Sequence, residues 1–192
     1  TGTPISTQVS GEWIYGLSLE DAQAMVDFSI VIPTSLPTGY TPGEISFNTA
    51  TGQVQQMFRF SPFQAGEMFT LIQQPDQPTG TIGASAVVEE LMVGDHPVEY
   101  VQGSWFVEVG SDTEQWIADA PVYTFRWQEN EIYFTLQFLL NETSSPAYLT
   151  KQDMIAMAEV VMGISSTFPE KMNLNNLTLN EIEPAAGFTI LI

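Results

Sequence analysis

The stretch "DFSIVIPTSLPTGY", residues 27–40, decides the fold of this chain. Its segment "FSIVI" is typical of a buried strand, because it is short, apolar and rich in β-branched residues. Pro33 then ends the strand, since proline lacks the N–H that a strand ladder needs. Pro37 and Gly39 suit the second and fourth positions of a type I turn that begins at Leu36. The stretch therefore predicts a strand that leaves a sheet at a rigid corner.

A helix is predicted on each side of the central part of the chain. "LSLEDAQAMVDF" reads as a short N-terminal helix, with Ser18 as its cap and Asp21 as the reciprocal partner. "LTKQDMIAMAEVVMG" reads as a C-terminal helix, capped by Thr150 and Asp153 and ended by Gly163. Both segments repeat apolar residues at helical spacing, so each is expected to bury one face.

Between Tyr40 and about residue 140, alternating polar and apolar residues indicate strands. The clearest hairpin is "VYTFRWQENEIYFTLQFLL", with a break at about "EN", and "QPDQPTGTIGAS" and "GSDTEQWIADAP" read as long loops. The order helix, many strands, helix predicts an α+β fold. We expect a curved antiparallel sheet of about six to eight strands, with an N-terminal and a C-terminal helix packed on one face.

The end of the chain repeats its beginning. Residues 177–192, "LTLNEIEPAAGFTILI", align without a gap with residues 17–32, "LSLEDAQAMVDFSIVI". Chance similarity of apolar strands is the plain explanation; the alternatives are the start of a second copy of the same domain or an extra edge strand. We predict these units: a linker at 1–16, a single α+β domain at 17–163, a linker at 164–176, and the second copy or edge strand at 177–192.

The charge balance excludes several classes of partner. The chain has 192 residues, with 23 acidic against 4 basic side chains, a net charge of -19 and a pI near 4.1. Such a surface repels nucleic-acid phosphates and anionic lipid headgroups. The absence of cysteine excludes disulfides and thiolate chemistry. Few lysines beside many Thr, Ser, Gln and Asn residues favour an exported protein. Because no apolar run approaches the ~18 residues of a membrane span, membrane attachment is expected only through an anchor outside this chain.

No catalytic motif stands out. His96 is the only histidine, and no serine lies in a nucleophile-elbow setting. Glu89 and Glu90 are adjacent on a strand and point to opposite faces. Glu129 and Glu131 flank a hairpin tip, where charged side chains usually point into solvent and have no catalytic role. We therefore predict no catalytic residue and no cofactor, although an acidic pair from distant strands stays open as an alternative.

Two groups of side chains in or near the second loop are candidate contact residues. Asp112, Glu114 and Asp119 offer oxygen ligands that calcium prefers, but their spacing does not match an EF-hand, and a solvated acidic loop is the simpler interpretation. Trp116, in the same loop, and Trp105, which opens a strand, are candidates for contact with a ligand or partner. The alternative is that these tryptophans fold down to cover an open sheet face.

The proline corner also carries a family resemblance. "FSIVIPTSLPTGY" resembles the signature of a family of bacterial extracytoplasmic domains of unknown function, Phe-x-apolar-x-apolar-Pro-x-x-Leu-Pro-x-Gly-Tyr. "LMVGDHPVEYVQG", "YTFRWQENEIYFTLQF" and "LTKQDMIAMAEVVMG" are similar to later features of that family, so the resemblance spans about residues 17–163. "WQENE" departs from it where a glycine-containing turn is more usual, which leaves the turn type open. Members occur in the exported part of anti-sigma factors and in lipoproteins, and the family brings no catalytic residues.

These observations predict a non-catalytic sensing or binding domain. The resemblance implies a bacterial, extracytoplasmic location in an anchored protein similar to an anti-sigma factor or a lipoprotein, with the domain in tandem copies. The expected partner is a protein or a small ligand outside the membrane. Two alternatives remain: an extracellular hydrolase that uses an acidic pair, and a structural spacer repeat.

Overall fold

The computed structural model describes residues 12–61, 68–78, 82–83, 85–107, 114–139, 148–165 and 168. Within these residues the chain forms ten strands and two helices. Their bounds are β1 Trp13–Leu17, α1 Leu19–Gln23, β2 Tyr40–Asn48, β3 Gln53–Phe60, β4 Met68–Gln74, β5 Val88–Val93, β6 His96–Gln102, β7 Ser104–Val107, β8 Glu114–Ile117, β9 Val122–Glu129, β10 Ile132–Leu139 and α2 Lys151–Val161.

Eight of the strands form one open antiparallel sheet in the order β1-β2-β3-β4-β10-β9-β6-β5. Strands β7 and β8 pair with each other in a separate two-stranded ribbon. The β4–β10 pairing joins the first strands of the sheet to the later ones. The predicted antiparallel sheet with two helices is thus confirmed, and sheet dominates, because the helices contain only 5 and 11 residues.

The two faces of the sheet differ in chemistry. Directly paired residues lie on the same face, so the register traces one row through Leu71, Leu136, Phe125 and Tyr100. We call this side the core face, since Leu71, Leu136 and Phe125 are fully buried. The next row runs through Ile72, Thr135, Arg126, Glu99 and Glu90 on the opposite side, which we call the polar face.

Both helices contribute side chains to buried apolar clusters. Met154 and Met157 of α2 belong to the main cluster, which holds the aromatic residues of β3, β4, β9 and β10. Ala22 of α1 belongs to a smaller cluster with Phe47 and Val54. Amphipathic helices of this length are stabilised chiefly by such burial, because short isolated helices are marginal in water.

The predicted strand "FSIVI" is wrong. Residues 28–36 run in an irregular conformation that pairs with no neighbouring strand. Side-chain amides replace the strand ladder: Gln73 Nε2 donates to Val31 O at 2.9 Å, and Val31 N donates to Gln73 Oε1 at 2.7 Å. Gln23 makes the same double contact, donating to Phe28 O at 2.6 Å and accepting from Ile30 N at 2.9 Å. The apolar content of this segment could not show that its backbone groups would form hydrogen bonds with amide side chains instead of with a neighbouring strand.

The corner itself closes one residue later than predicted. Tyr40 N donates to Pro37 O at 3.0 Å, so the turn runs from Pro37 to Tyr40. Gly39 has a φ of +88°, the value required at the third position of a type II turn. In the β9–β10 hairpin, Asn130 and Glu131 both have positive φ, 49° and 67°. The turn without glycine is therefore of type I′, whose twist matches the flanking strands.

Ser18 and Thr150 cap the two helices as predicted, but the reciprocal bond from the Ser18 backbone N–H to Asp21 is not formed. Ser18 Oγ accepts from Asp21 N at 3.0 Å, and it donates to the Asp21 carboxylate at 2.6 Å. Thr150 and Asp153 form the full reciprocal capping box of α2. Gly163 follows α2 with a φ of +71°, the left-handed conformation that ends helices.

Three predicted irregular segments contain ordered structure. Strand β1 begins at Trp13 and pairs with β2, so residues 13–16 do not belong to a linker. The second predicted loop contains β8. In the predicted linker at 164–176, Phe168 packs against the main cluster. The repeat at 177–192 lies outside the described residues. Neither of the helices described is long and apolar enough to cross a membrane.

We predict that Gln73 is needed for stability and that Gln23 contributes much less. Gln73 is fully buried, whereas Gln23 is exposed. Gln73→Met keeps the side-chain length but leaves Val31 N and O without partners. This should lower the free energy of unfolding by roughly 2–4 kcal/mol. Gln23→Met is expected to cost less than about 1 kcal/mol, because water can reach the freed groups. Urea unfolding of both variants measures the difference, and equal losses would contradict this account.

The second prediction concerns pH. Burial raises the pKa of Tyr100 from 10.0 to about 12, with smaller contributions from Tyr123, Glu89 and Tyr148. The folded state therefore holds a proton that the unfolded state releases between these two values, so the free energy of unfolding falls as pH rises through this range. The urea midpoint is measured at pH 8 and at pH 11 for both proteins. It should fall more between these two pH values in the wild type than in Tyr100→Phe. Equal falls in both proteins would refute the assignment.

Candidate functional site

The β7–β8 ribbon carries the two tryptophans that the sequence singled out. Trp105 and Trp116 are directly paired in the ribbon. Their rings meet edge to face, with centroids 5.7 Å apart and an interplanar angle of 75°. Trp116 thus lies on a strand and not in a loop. The pairing brings together two residues that are eleven positions apart in the chain.

A cavity of about 350 Å³ lies between this ribbon and the polar face of the sheet. This volume is within the range of small-ligand sites in proteins. Five adjacent strands, β3, β4, β10, β9 and β6, contribute to it. We call it the tryptophan pocket. Its lining residues are Thr51, Gln53, Ile72, Gln74, Pro78, Ile82, Val101, Gly103, Ser104, Trp105, Trp116, Thr124, Arg126, Thr135 and Gln137.

Two glycines allow the Trp116 side chain to pack directly against the backbone. A Cβ at Gly83 would overlap the Cβ and Cγ atoms of Trp116. A Cβ at Gly103 would lie 2.6 Å from Trp116 Cζ2, and Gly103 also has a φ of +122° that side chains rarely adopt. The indole is therefore seated against two stretches of bare backbone. Such a fixed aromatic surface needs little ordering when a ligand binds.

Several polar side chains of the pocket have no hydrogen-bond partner among the residues that the structure describes. The amides of Gln53 and Gln137 and the hydroxyls of Thr124 and Thr135 make no side-chain hydrogen bond to any described residue. Each of these groups both donates and accepts hydrogen bonds. The Nε1 atom of Trp116 is buried and also lacks a partner in the described part of the chain. Gln53, Thr124 and Thr135 are half-buried and Gln137 is exposed, so water or a ligand can pair with these side chains. The buried Nε1 atom of Trp116 is the group that calls for an explanation, since buried polar groups are normally hydrogen-bonded.

The charge of the pocket differs from that of the protein. None of the lining residues described is acidic, although the chain carries 23 acidic side chains. Arg126 is the only cation among them, and its Nη2 donates to Glu99 Oε2 at 2.6 Å. Glu99 does not line the pocket but pairs with Arg126 across strands β6 and β9. The arginine is thus already neutralised, and the pocket is close to electrically neutral.

A second cavity of about 340 Å³ adjoins the tryptophan pocket and shares Pro78 and Arg126 with it. In it, Glu90 and Glu99 are directly opposite each other on β5 and β6. This is the acidic pair that sequence reasoning missed. The sequence shows Glu90 only beside Glu89, because the register that sets Glu90 opposite Glu99 depends on the two-residue turn between the strands. Its lining residues are Gln77, Pro78, Glu90, Pro97, Val98, Glu99, Arg126, Trp127, Gln128, Tyr133 and Phe134.

The calcium candidates are not brought together in the described structure. Glu114 opens β8 and Asp119 lies in the turn after it, both exposed. Asp112 lies outside the described residues. Among the residues that the structure describes, no group of three potential metal ligands occurs. The glutamines and threonines of the pocket were not singled out from the sequence, although their alternation along strands places them on one face.

No family model, curated protein or solved structure matches this chain. The family resemblance of the proline corner therefore stays a prediction. The assignment of the site rests on geometry alone.

We predict that Gly83→Ala disturbs the ribbon through Trp116. The new methyl group overlaps the indole, so the variant should lose about 1–3 kcal/mol in free energy of unfolding and change its tryptophan fluorescence. Trp116→Ala in the same background removes the overlapping ring, so Gly83→Ala should then cost little. A double-mutant cycle by urea unfolding measures this coupling. Additive losses would show that Gly83 acts independently of Trp116.

Proposed function

We propose that this chain is a non-catalytic binding domain and that the tryptophan pocket is its ligand site. One observation carries the proposal: the pocket combines two tryptophans with unpaired amide and hydroxyl groups, in a cavity large enough for a small molecule. Apolar walls with a few convergent polar groups are the usual composition of ligand sites. The ligand is a small molecule or a protruding part of a partner protein.

The two alternatives fit the site less well. A structural spacer needs no cavity, and its contacts would concentrate at the junctions between repeats. A hydrolase needs convergent carboxylates, and the second cavity supplies one pair, Glu90 and Glu99. Glu99 is half exposed and already bonded to Arg126, and Glu90 is exposed. General acids are usually held in drier surroundings that raise the carboxyl pKa, so this pair supports catalysis weakly.

We infer the wider setting from composition and resemblance. A chain with few lysines and many hydroxyl and amide side chains suits an exported protein, and the proline corner resembles a bacterial extracytoplasmic family. The domain would then act outside the membrane as the sensing part of an anchored protein similar to an anti-sigma factor or a lipoprotein. The repeat at 177–192 favours tandem copies of the domain.

We also infer an α+β arrangement that leaves the pocket accessible. The strand residues that cluster with Ala22 and Met157 lie on the core face, so both helices would cover that face. Irregular register between Pro42 and Ile45 in β2 would bend the sheet. In this arrangement the ribbon, together with Pro78 and Ile82, shields part of the polar face.

A thermal-shift screen with a library of small polar metabolites tests the proposal. Thr135→Trp fills the tryptophan pocket, and Gln128→Trp, its matched control on the same face, fills the second cavity instead. Compounds that bind as proposed should raise the Tm of the wild type and of Gln128→Trp by a few degrees, but not that of Thr135→Trp.

The same screen separates the alternatives. Hits that survive Thr135→Trp and are lost in Gln128→Trp would move the site to the second cavity. Hydrolysis of a glycan or peptide that disappears in Glu90→Gln would overturn the non-catalytic assignment. Absence of any hit in the wild type would favour the spacer.

A further inference from the structure

The ligand class of the tryptophan pocket can be argued from its charge, its hydrogen-bonding groups and its aromatic walls. We propose that the pocket binds a neutral carbohydrate, as a free oligosaccharide or as a glycan chain. This inference rests on the proposed binding function and names its ligand.

The charge excludes ionic ligands first. Anions are repelled by a protein of net charge -19 and find in the pocket one cation, Arg126, that is already paired with Glu99. Cations are attracted to the protein as a whole, but the described lining offers them no carboxylate. A buried charge without a partner is costly. A neutral ligand avoids both penalties.

The hydrogen-bonding groups match hydroxyls. Gln53 and Gln137 each present an N–H₂ donor and a carbonyl acceptor, and Thr124 and Thr135 each present a hydroxyl that does both. A ligand hydroxyl also donates and accepts. Thr135 and Gln137 lie on β10 with Thr124 paired to Gln137, whereas Gln53 lies two strands away, so hydroxyls on successive sugar units can pair with these side chains. Purely apolar ligands would leave this set unpaired, which costs binding energy.

The aromatic walls match the apolar face of a sugar ring. Trp105 is 40% exposed and meets Trp116 nearly at a right angle, so the two indoles form a corner and not a slot. A pyranose ring has a face of C–H groups beside an edge of hydroxyls, and an indole packs on the former while polar side chains bond the latter. A flat aromatic ligand would need a narrow slot between parallel rings.

The open shape of the pocket favours a chain over a single sugar. It crosses five strands and adjoins the second cavity at Pro78 and Arg126. A linear oligosaccharide can therefore extend from the tryptophans across the polar face. Several sugar units add contacts without a second binding event.

The test is isothermal titration with cellohexaose, maltohexaose and chitohexaose (the fully N-acetylated form), with hexagalacturonate as the anionic probe and spermine as the cationic probe. At least one neutral hexasaccharide should bind the wild type. Trp105→Ala should weaken that binding by at least about tenfold, since exposed tryptophans often dominate binding energy. Phe106→Ala is the matched control: it is also exposed on β7 but does not line the pocket, and it should leave the affinity unchanged.

A second pair of variants isolates the hydrogen bonds. Gln137→Leu should weaken neutral hexasaccharide binding by about five- to tenfold, the loss of one hydrogen bond to the ligand. Gln55→Leu lies on the polar face outside the pocket lining and should have no effect. Circular dichroism and Tm of each variant show whether the fold is retained, so that a loss of affinity is not a loss of structure.

The outcomes separate the ligand class from the binding function. Binding of hexagalacturonate or spermine alone, sensitive to Trp105→Ala, would overturn the neutral carbohydrate and keep the binding domain. Failure of all five probes, together with pocket-dependent hits in the metabolite screen, would also overturn only the ligand class. Failure of the probes and the screen together would overturn both.

Discussion

The bidentate contact between the Gln73 amide and the backbone of Val31 is the constraint on which the arrangement of the chain depends. Residues 28–36 cross the core side of the molecule without a strand partner, and a buried backbone without hydrogen bonds is costly. Gln73, on the core face of the central strand β4, supplies both bonds from a fully buried position. The proline corner thus becomes a cover for the core, with Val31 and Leu36 packed against the main cluster.

The two faces of the sheet thus differ in what they contribute: one carries the apolar core and the other carries the pocket. Side chains of α1, α2 and the proline corner contribute to the buried apolar clusters, so apolar burial is concentrated in these clusters. The polar face is left to amide, hydroxyl and charged side chains, and the β7–β8 ribbon is the element that lies over it. Antiparallel sheets commonly keep one face solvated, but here a short ribbon encloses part of that face. Its enclosure, and not the residue types alone, turns a solvated surface into a cavity.

Local features were predictable from the sequence because their causes are local. The caps at Ser18 and Thr150 and the strands of the β9–β10 hairpin follow from residues a few positions apart. "FSIVI" failed because its conformation depends on Gln73, more than forty positions away. The site was half predictable: Trp105 and Trp116 stood out as candidate contacts, whereas their pairing and the Glu90–Glu99 pair depend on strand register. Register is fixed by turns and burial together, so a single sequence shows it poorly.

The contrast between the whole protein and its pocket gives the molecule two independent filters. The net charge of -19 acts over distances of about a Debye length and discourages anionic molecules before they arrive. Inside the pocket, Arg126 is paired with Glu99, so in the proposed site the ligand is selected by hydrogen bonds and by the tryptophan walls. Surface charge can therefore change with the environment without altering which ligand fits. If the proposed ligand site is correct, separating charge from recognition makes binding depend on short-range contacts that salt screens little.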